Sequence, residues 1–333
     1  MKPIETEADV FTLVRTSRAL AVLASWSSLG LLQALAARGP MSLFELSTGL
    51  DLRALEITLP IMKHLGVVVG DAHRLALSDA GRKLLDERVL PGQRDLEMLA
   101  ESAQMSEVLK SGGPVKDSSG RRQLTHGGVR RESREDTSRF LEMLYRMSAR
   151  SSERVFEWLS PFVPVGGAVL DVGGGHGRYA RRFVDAGYRA TLLDVPMVIE
   201  LARERHGESM SYLEGDFHTL EVGGPYDLVF LSNIAHGEPD EKCRQLITRL
   251  AQVTKPGGVV AIKDMFLDDH GQDPEVAVFF GITMLFYTEA GRSHTAQAAR
   301  SWFEAAGLVG AKFDPLGSFS IAWAKRPEGD RAV

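Results

Sequence analysis

Short apolar runs alternate with longer segments of helical apolar spacing in the second half of the chain. The strand-like runs are 168–172, 190–193, 210–213, 227–232, 259–263 and 319–324. Helix-like segments lie between them, among them 178–186, 240–253 and 295–306. Strands that alternate with helices in this way predict βαβ units and a mostly parallel sheet with helices on both faces. The fold class that we expect for this half is therefore α/β.

The N-terminal stretch has a different pattern, because its apolar residues recur at helical spacing over 8–38 with few interruptions. Its middle, 19–26, is apolar on nearly all sides, so a helix there is buried either in a core or against another chain. Its distance along the chain from the predicted sheet favours a homodimer interface. An internal core helix remains the alternative.

The next segments are short and clearly punctuated. Helices are predicted over 43–48, 52–65 and 79–85, with a hairpin over 67–77. Ser42 and Ser78 precede two of these helices as N-caps. Helices followed by a hairpin predict a winged helix, a fold that often binds DNA. The segment 51–64, which would be the recognition helix, is not markedly basic, and this argues against DNA binding.

Residues 111–136 are rich in Gly, Ser and Arg and predict loops between two domains. We interpret their arginines as a solvated face, with a lid over the functional site as the alternative. A helix is predicted over 137–159, with Phe140, Leu144 and Met147 on one face. That face belongs either to a core or to the wall of a pocket.

Composition narrows the class of protein. The chain has 333 residues, a formal net charge of −5 and one cysteine, Cys243. This charge argues against general affinity for nucleic acid or an anionic membrane, and one cysteine forms neither a disulfide nor a thiolate metal cluster within a chain. Neither a secretory leader nor an apolar run of membrane-spanning length is recognisable. We therefore expect a cytoplasmic protein of two domains, without nucleic-acid or membrane partners.

Glycine and polar residues follow the predicted strands, at the ends where parallel sheets bind ligands. The first strand runs into a loop with four glycines among residues 173–177. The later strand ends carry Asp194, Asp216-Phe217, 232–236 and Asp264. Asp194 follows the loop by about twenty residues, where an acid accepts hydrogen bonds from ribose hydroxyls. Because Asp216-Phe217 places an acceptor beside an aromatic ring, the set predicts a cofactor that contains adenosine.

The glycine loop alone leaves a dehydrogenase open as an alternative. Gly175-His-Gly177-Arg-Tyr-Ala180 satisfies the loose dinucleotide-binding pattern. That pattern does not include the acid and triple glycine that open this loop. It also lacks Lys255-Pro-Gly-Gly258, which leads into the fifth predicted strand.

Three segments resemble the S-adenosylmethionine-binding motifs of class I methyltransferases: Leu170-Asp-Val-Gly-Gly-Gly-His-Gly177, Leu193-Asp-Val-Pro196 and Gly215-Asp-Phe217. Three others resemble the plant caffeate-type and bacterial hydroxyindole-type O-methyltransferases: Leu231-Ser-Asn-Ile-Ala-His236, Lys255-Pro-Gly-Gly258 and Gly291-Arg-Ser-His-Thr295. This resemblance covers nearly the whole chain. It implies a Rossmann-like class I methyltransferase domain, with a mostly parallel seven-stranded sheet, behind an N-terminal winged-helix dimerisation domain. The expected ranges are 1–100 for dimerisation, 101–160 for linker loops and a pocket helix, and 161–333 for the methyltransferase domain.

The resemblance also implies roles for individual residues. Cofactor contacts are expected at Gly173, Gly175, Asp194, Asp216, Phe217 and Ser232. His236 matches the catalytic histidine, and Asp264 matches the acid that orients it. No metal is expected. A histidine can take the proton of a phenol as the methyl group transfers, since the ordinary pKa values are about 6.5 and about 10.

Two departures from the family's pattern leave the reaction open. The family commonly follows its histidine with Asp-Trp, whereas this chain has Gly237-Glu238. The family often has a second acid on the far side of the histidine, and at the matching position this chain has Ser293. These changes are consistent with three alternatives. The histidine is a weaker base because one acid supports it instead of two, the acceptor is more acidic, or the methylated atom is nitrogen or carbon.

The acceptor pocket implied by position is largely apolar, which suits a flat aromatic or polyketide-like molecule. Its residues are Phe140, Leu144, Met147, Asn233, Met284, Tyr287 and Thr288. The function that we expect is S-adenosylmethionine-dependent methylation of a hydroxyl on such a metabolite by a homodimer. A C- or N-methyltransferase on the same scaffold, and a cofactor-sensing or DNA-binding regulator, remain alternatives. The acceptor itself is not specified by the sequence.

Overall fold

A computed structural model describes residues 2–116, 120 and 133–328. These residues form two compact units, Met1–Glu107 and Val108–Val333. Each unit has its own hydrophobic core. The segment for which the sequence suggests a lid, 111–136, lies largely outside the described residues, so the lid stays a prediction.

The first unit is helical with one small hairpin. Its helices are α1 (Glu7–Ser28), α2 (Leu31–Arg38), α3 (Leu43–Leu46), α4 (Leu52–His64), α5 (Asp79–Asp86) and α6 (Gln93–Ser102). Strands β1 (Val68–Asp71) and β2 (Arg74–Leu77) pair antiparallel. Helix α7 (Met105–Ser111) spans the boundary between the units. Ser42 and Ser78 cap α3 and α5, as the sequence predicts.

The helix predicted over 8–38 is interrupted. Gly30 has φ of 77° and separates α1 from α2, because a left-handed residue cannot continue a right-handed helix. Trp26 is buried in the core of this unit and donates from its indole nitrogen to Thr58 Oγ1 at 3.0 Å. In the described ranges no single helix is long and apolar enough to cross a membrane. Helices α1 and α2 have the required length and composition only when taken together, and this pair is bent by 54°.

The second unit is built on a seven-stranded sheet of order β5-β4-β3-β6-β7-β9-β8. Its strands are β3 (Ala168–Val172), β4 (Arg189–Asp194), β5 (Ser211–Glu214), β6 (Tyr226–Ser232), β7 (Thr254–Asp264), β8 (Val309–Leu316) and β9 (Phe319–Lys325). The pairs from β5 to β7 are parallel, and β9 is antiparallel to both of its neighbours. The strand order doubles back after β5, so β3 and β6 lie side by side at the centre.

Helices pack around this sheet. They are α8 (Arg134–Met147), α9 (Ala149–Leu159), α10 (Arg178–Asp185), α11 (Pro196–His206), α12 (Asp240–Gln252), α13 (Glu275–Tyr287) and α14 (Ala296–Ala305). The central strands are apolar and buried on both faces, as parallel strands between helices must be. The expected α/β class with a mostly parallel sheet is confirmed.

Two details of this unit differ from the sequence prediction. The helix expected over 137–159 is divided into α8 and α9 at Ser148, whose hydroxyl faces the His176 ring at 3.3 Å. Strand β8 was not predicted, because it is an edge strand whose residues are mostly exposed. Its apolar run is therefore too weak to identify a strand.

Candidate active site

A glycine loop leads from β3 into α10 at one edge of the sheet. Gly173 and Gly175 have φ of 62° and 54°, a region that glycine enters without a Cβ clash. A Cβ on Gly173 would stand 2.4 Å from Ile234 Cδ1 and 3.6 Å from Phe217 Cε1. The loop therefore passes closely against the segments that follow β5 and β6.

Asp194, at the end of β4, holds this loop in place. Its Oδ2 accepts from the Gly175 backbone N–H at 2.9 Å, and its Oδ1 accepts from Val195 N–H at 2.8 Å. Burial raises the pKa of Asp194 to about 6. Because each carboxylate oxygen has two lone pairs, both oxygens retain capacity for ligand hydroxyls.

The acid that precedes the glycine loop in the sequence, Asp171, is buried in β3, and the sequence analysis assigned it no role. Its Oδ2 accepts from Ala180 N–H at 3.2 Å, while its Oδ1 has no hydrogen-bond partner among the described residues. Burial, reinforced by the negative charge of Asp194, raises the pKa of Asp171 to about 7. The clue in the sequence was an acid inside an otherwise apolar strand.

Asp216 and Phe217 lie in the loop after β5. Asp216 is exposed and accepts from His218 N–H at 2.8 Å, which shapes a tight turn. Arg249 of α12 donates to the Phe217 carbonyl at 3.0 Å and to the Leu220 carbonyl at 2.8 Å. The arginine thus fixes the loop with the Phe217 ring beside Gly173.

His236 and Asp264 meet after the ends of two neighbouring parallel strands, β6 and β7. The distance from His236 Nδ1 to Asp264 Oδ1 is 2.7 Å, and Asp264 Oδ2 accepts from the His236 backbone N–H at 3.1 Å. Burial opposes the charge of Asp264, but the charge of His236 and the hydrogen bonds outweigh it and lower the Asp264 pKa. Asp264 is therefore a carboxylate, which requires the proton of a neutral imidazole to be on Nδ1. The lone pair is then on Nε2.

The surroundings of His236 include Phe280, which the sequence analysis did not identify, and the first two residues of the motif that begins at Gly291. The Phe280 ring of α13 meets the imidazole edge-on, with centroids 4.8 Å apart. Gly291 packs so closely that a Cβ there would stand 2.5 Å from the His236 carbonyl oxygen. The following residue, Arg292, donates its backbone N–H to that oxygen at 2.8 Å. The sequence pattern could show the helical spacing of Phe280 but not this contact.

The two departures from the family's pattern have defined surroundings. Glu238 is a buried carboxylate, and its Oε1 lies 3.1 Å from His218 Nε2. It therefore connects the segment that carries His236 to the loop that carries Phe217. Ser293 donates its hydroxyl to the Ala277 carbonyl of α13 at 2.6 Å. That position supports the fold of α13 and carries no second carboxylate.

The residues expected to line the acceptor pocket fall into two groups. Phe140 and Met147 are exposed on α8. The residues of α8 that contact the glycine loop are instead Leu141 and Tyr145. Leu144 is half-buried. In the second group, Asn233 lies in the loop after β6, and Met284, Tyr287 and Thr288 are buried at the end of α13.

Thr288 has a structural role that the sequence did not suggest. Its hydroxyl donates to the Met284 carbonyl at 2.6 Å and accepts from Gly291 N–H at 2.8 Å. The hydroxyl proton is therefore used within the protein. The acceptor roles of the whole set stay a prediction.

The remaining histidines near the site, His176, His218 and His294, have hydrogen-bond or ion-pair partners within the protein. His176 accepts from Arg178 N–H through Nδ1 at 3.1 Å, and burial lowers its pKa to about 4. His294 Nε2 lies 3.0 Å from the Glu238 carbonyl oxygen, with its ring edge-on to Trp302. In the part of the chain that the structure describes, no group of three or more His, Cys, Asp or Glu converges as metal ligands would.

Solved structures with a similar fold are known. Human N-acetylserotonin methyltransferase in complex with SAM is 20% identical and aligns over 98% of this chain and 100% of its own, with a TM-score of 0.75. An O-methyltransferase family protein from Burkholderia thailandensis is also 20% identical over 98% and 100%, with a TM-score of 0.76. These likenesses show the fold, including the helical N-terminal region.

Sequence comparison identifies relatives of known activity. Acetylserotonin O-methyltransferase of Gallus gallus is 31% identical over 190 residues, which are 54% of this chain and 53% of that protein. Flavonoid 8-O-methyltransferase 1 of Ocimum basilicum is 32% identical over 179 residues, 50% and 46% of the two chains. The chain thus spans about half the length of the curated relatives it matches. The family model for the O-methyltransferase domain matches residues 103–309, so this protein belongs to the O-methyltransferase domain family.

Proposed function

We propose that this protein transfers a methyl group from S-adenosylmethionine to a hydroxyl of a small aromatic or polyketide-like metabolite, with His236 as the general base and Asp264 as the acid that orients it. One observation carries the proposal. His236 Nδ1 lies 2.7 Å from the buried carboxylate of Asp264, the last residue of β7, and His236 follows the adjacent strand β6. An imidazole held in this way has a fixed tautomer and a basic Nε2.

The residues around the glycine loop fit the cofactor. Gly173 and Gly175 let the loop backbone pass at positive φ close to Ile234 and Leu141, and Asp194 has acceptor capacity for ribose hydroxyls. Phe217 offers a ring and Asp216 an acceptor for adenine, while Ser232 at the end of β6 is the further contact. When bound, S-adenosylmethionine supplies a methyl group already activated by its sulfonium.

This chain's own part in the reaction is therefore alignment and proton removal. Nε2 of His236 takes the acceptor proton as the oxygen gains the methyl group. Asp264 supports the imidazolium that forms, and it does so without desolvation at that moment because it is already buried and ionised. The imidazolium returns its proton to water when the product leaves.

The class of acceptor is inferred from the relatives and from the expected pocket. The relatives methylate acetylserotonin and a flavonoid by name, and both groups of molecules are aromatic. In this chain Phe140, Leu144 and Met147 of α8 expose apolar surface, whereas Met284 and Tyr287 of α13 are buried. Asn233 is a polar group for orientation, and Thr288 now contributes mainly its methyl group.

Homodimerisation through the first unit is part of the same proposal. Helix α1 exposes a row of large apolar side chains in the single chain: Val10, Phe11, Leu13, Val14 and Leu20. A second copy would cover this row, since contiguous apolar patches on soluble proteins mark interaction sites. The cytoplasmic location and the domain ranges 1–100, 101–160 and 161–333 stay predictions.

The proposal is tested first by calorimetry with S-adenosylhomocysteine and then by mass spectrometry with a panel of phenols. We expect binding of the nucleoside and a mass gain of one methyl group on a phenolic acceptor. Absence of nucleoside binding would refute the proposal. A regulator would instead bind DNA at low salt, where electrostatic binding is strongest.

The atom that is methylated is tested by pH dependence. For O-methylation with His236 as base, single-turnover rates rise with pH through a limb that is absent in His236→Ala. Methylation of nitrogen or carbon with a merely positional histidine would give the same pH profile in both proteins.

A further inference from the structure

Lys263 is a buried cation outside the roles described so far. It is the residue before Asp264 in β7, and only 1% of its surface is exposed. Burial lowers its pKa to about 8, against the opposing effect of Asp264. No carboxylate oxygen lies within 4.0 Å of Nζ among the described residues. A lysine held in this state costs free energy, so a role for it is expected.

The ammonium group of Lys263 contacts the loop that carries the base. Its Nζ donates to Asn233 Oδ1 at 3.0 Å, and its backbone carbonyl accepts from Asn233 N–H at 2.9 Å. The Phe319 ring lies over the same Nζ at 3.5 Å from the centroid and fixes its position. Two hydrogen bonds thus join one residue of β7 to the first residue beyond β6.

Asn233 is held in a conformation that needs support. Its φ is 60°, and Arg88 is the other non-glycine residue with positive φ in the described part of the chain. Asparagine tolerates this region better than most residues, but it remains uncommon outside glycine. The bonds from Lys263 stabilise the conformation at the point where the chain turns from Ser232 towards His236.

The end of β7 therefore clamps the loop at both of its ends. Successive residues of a strand point to opposite faces, so Lys263 reaches Asn233 on one face and Asp264 reaches His236 on the other. We propose that Lys263 is a positioning residue for methyl transfer, which acts through Asn233 to set the path of residues 232–236. This inference rests on the proposed function, because it names what aligns the base and the cofactor contact Ser232.

The test is a double-mutant cycle between Lys263→Met and Asn233→Gly in the full-length protein. Methionine keeps the length of the side chain without its donor, and glycine adopts positive φ without a clamp. We expect Lys263→Met to lower single-turnover methylation on the order of 10- to 100-fold, as misplacement of a base by about 1 Å does. The same change should have little further effect in the Asn233→Gly background, because the two residues act as one unit.

Readouts other than activity separate positioning from a structural role. A buried lysine that only supported the fold would lower Tm when removed, whereas we expect Lys263→Met to leave Tm unchanged or raise it. The affinity for S-adenosylhomocysteine should fall less than the methylation rate, since Ser232 lies in the displaced segment whereas Asp194 and Asp216 do not. A crystal structure of Lys263→Met should show Asn233 away from φ of 60°. Lys312→Met is the matched control, because this exposed lysine of β8 also faces a ring, that of Trp323.

The outcomes are distinguishable. Equal losses from Lys263→Met in both backgrounds, full activity of the single variant, or an unchanged Asn233 conformation would each overturn the role of Lys263. Failure of the wild-type protein to bind S-adenosylhomocysteine would instead overturn the proposed function. The conformation of Asn233 in the variant still tests the clamp in that case.

Discussion

Replacing Asp264 with asparagine tests the core of the site with the smallest possible change. Three donors converge on this carboxylate: Oδ1 accepts from His236 Nδ1 and from Met265 N–H, at 2.7 and 2.8 Å, and Oδ2 accepts from His236 N–H at 3.1 Å. An asparagine has one acceptor oxygen and one donor group. It must therefore present its NH₂ to at least one donor.

Both orientations of the new amide are unfavourable. With its oxygen in the place of Oδ1, the NH₂ faces the backbone N–H of His236. In the reverse orientation the NH₂ faces Met265 N–H and pushes the imidazole proton from Nδ1 to Nε2, which removes the base. One buried unsatisfied donor costs about 1–3 kcal/mol. For a domain of this size that is a fall in Tm of roughly 2–10 °C.

The loss of activity is expected to exceed the loss of stability. General-base catalysis contributes about 10²- to 10⁴-fold. An asparagine has no charge to support the imidazolium in either orientation, and the reverse orientation also gives the wrong tautomer, so most of that factor is lost. We expect kcat of Asp264→Asn to fall by that amount, with S-adenosylhomocysteine affinity nearly unchanged. In a His236→Ala background the same change should have little effect on kcat, because the base is already absent.

The assay is single-turnover methylation of the best phenol found for the wild-type protein, with calorimetry and thermal unfolding alongside. Asp185→Asn is the control, since that exposed carboxylate pairs with Arg181 within α10 and such pairs contribute little. A folded Asp264→Asn variant that keeps kcat within about threefold of wild type would refute the orientation of His236 by this acid.

Three further predictions follow from the geometry. Gly173→Ala should weaken S-adenosylhomocysteine binding at least about tenfold, as measured by calorimetry. The new Cβ would stand 2.4 Å from Ile234 Cδ1, on a residue whose φ is 62°. An unchanged affinity would contradict the close approach of this loop. The pKa of Asp171 is raised to about 7 in the folded protein, so the free energy of unfolding of the wild type falls as pH rises from about 4 to about 7. Asp171→Asn lacks this titration. Its free energy of unfolding in urea should therefore gain a few kcal/mol relative to wild type over that pH range. A difference between the two proteins that does not vary with pH would exclude this titration. Phe11→Glu should shift the protein from dimer to monomer in sedimentation experiments, whereas a monomeric wild type would refute the interface on α1.

The sequence predicted the parts of the site that local pattern determines. Apolar runs located β3, β4 and β6 closely and the second half of β7, and the residues that follow these runs included Asp194, His236 and Asp264. These residues are recognisable because strand ends in a parallel sheet share one edge.

What the sequence could not predict depends on contacts between distant segments. The break at Ser148 is helical by pattern on both sides, and its hydroxyl finds His176 only in the folded unit. The roles of Lys263 and Phe280 depend on Asn233 and His236, which pack against them from other elements. Strand β8 lacks an apolar run because its residues lie at an edge. Each of these features needs the register of the sheet, which composition does not encode.

The two-residue period of β7 has a consequence for how this protein can vary. Lys263 and Asp264 reach opposite faces, so an insertion or deletion of one residue before them would exchange the lysine and the carboxylate and lose both clamps at once. The spacing along β7 should therefore tolerate no length change. Helices α8 and α13 should tolerate substitution only where Leu141 keeps its contact with the glycine loop and Phe280 keeps its contact with His236.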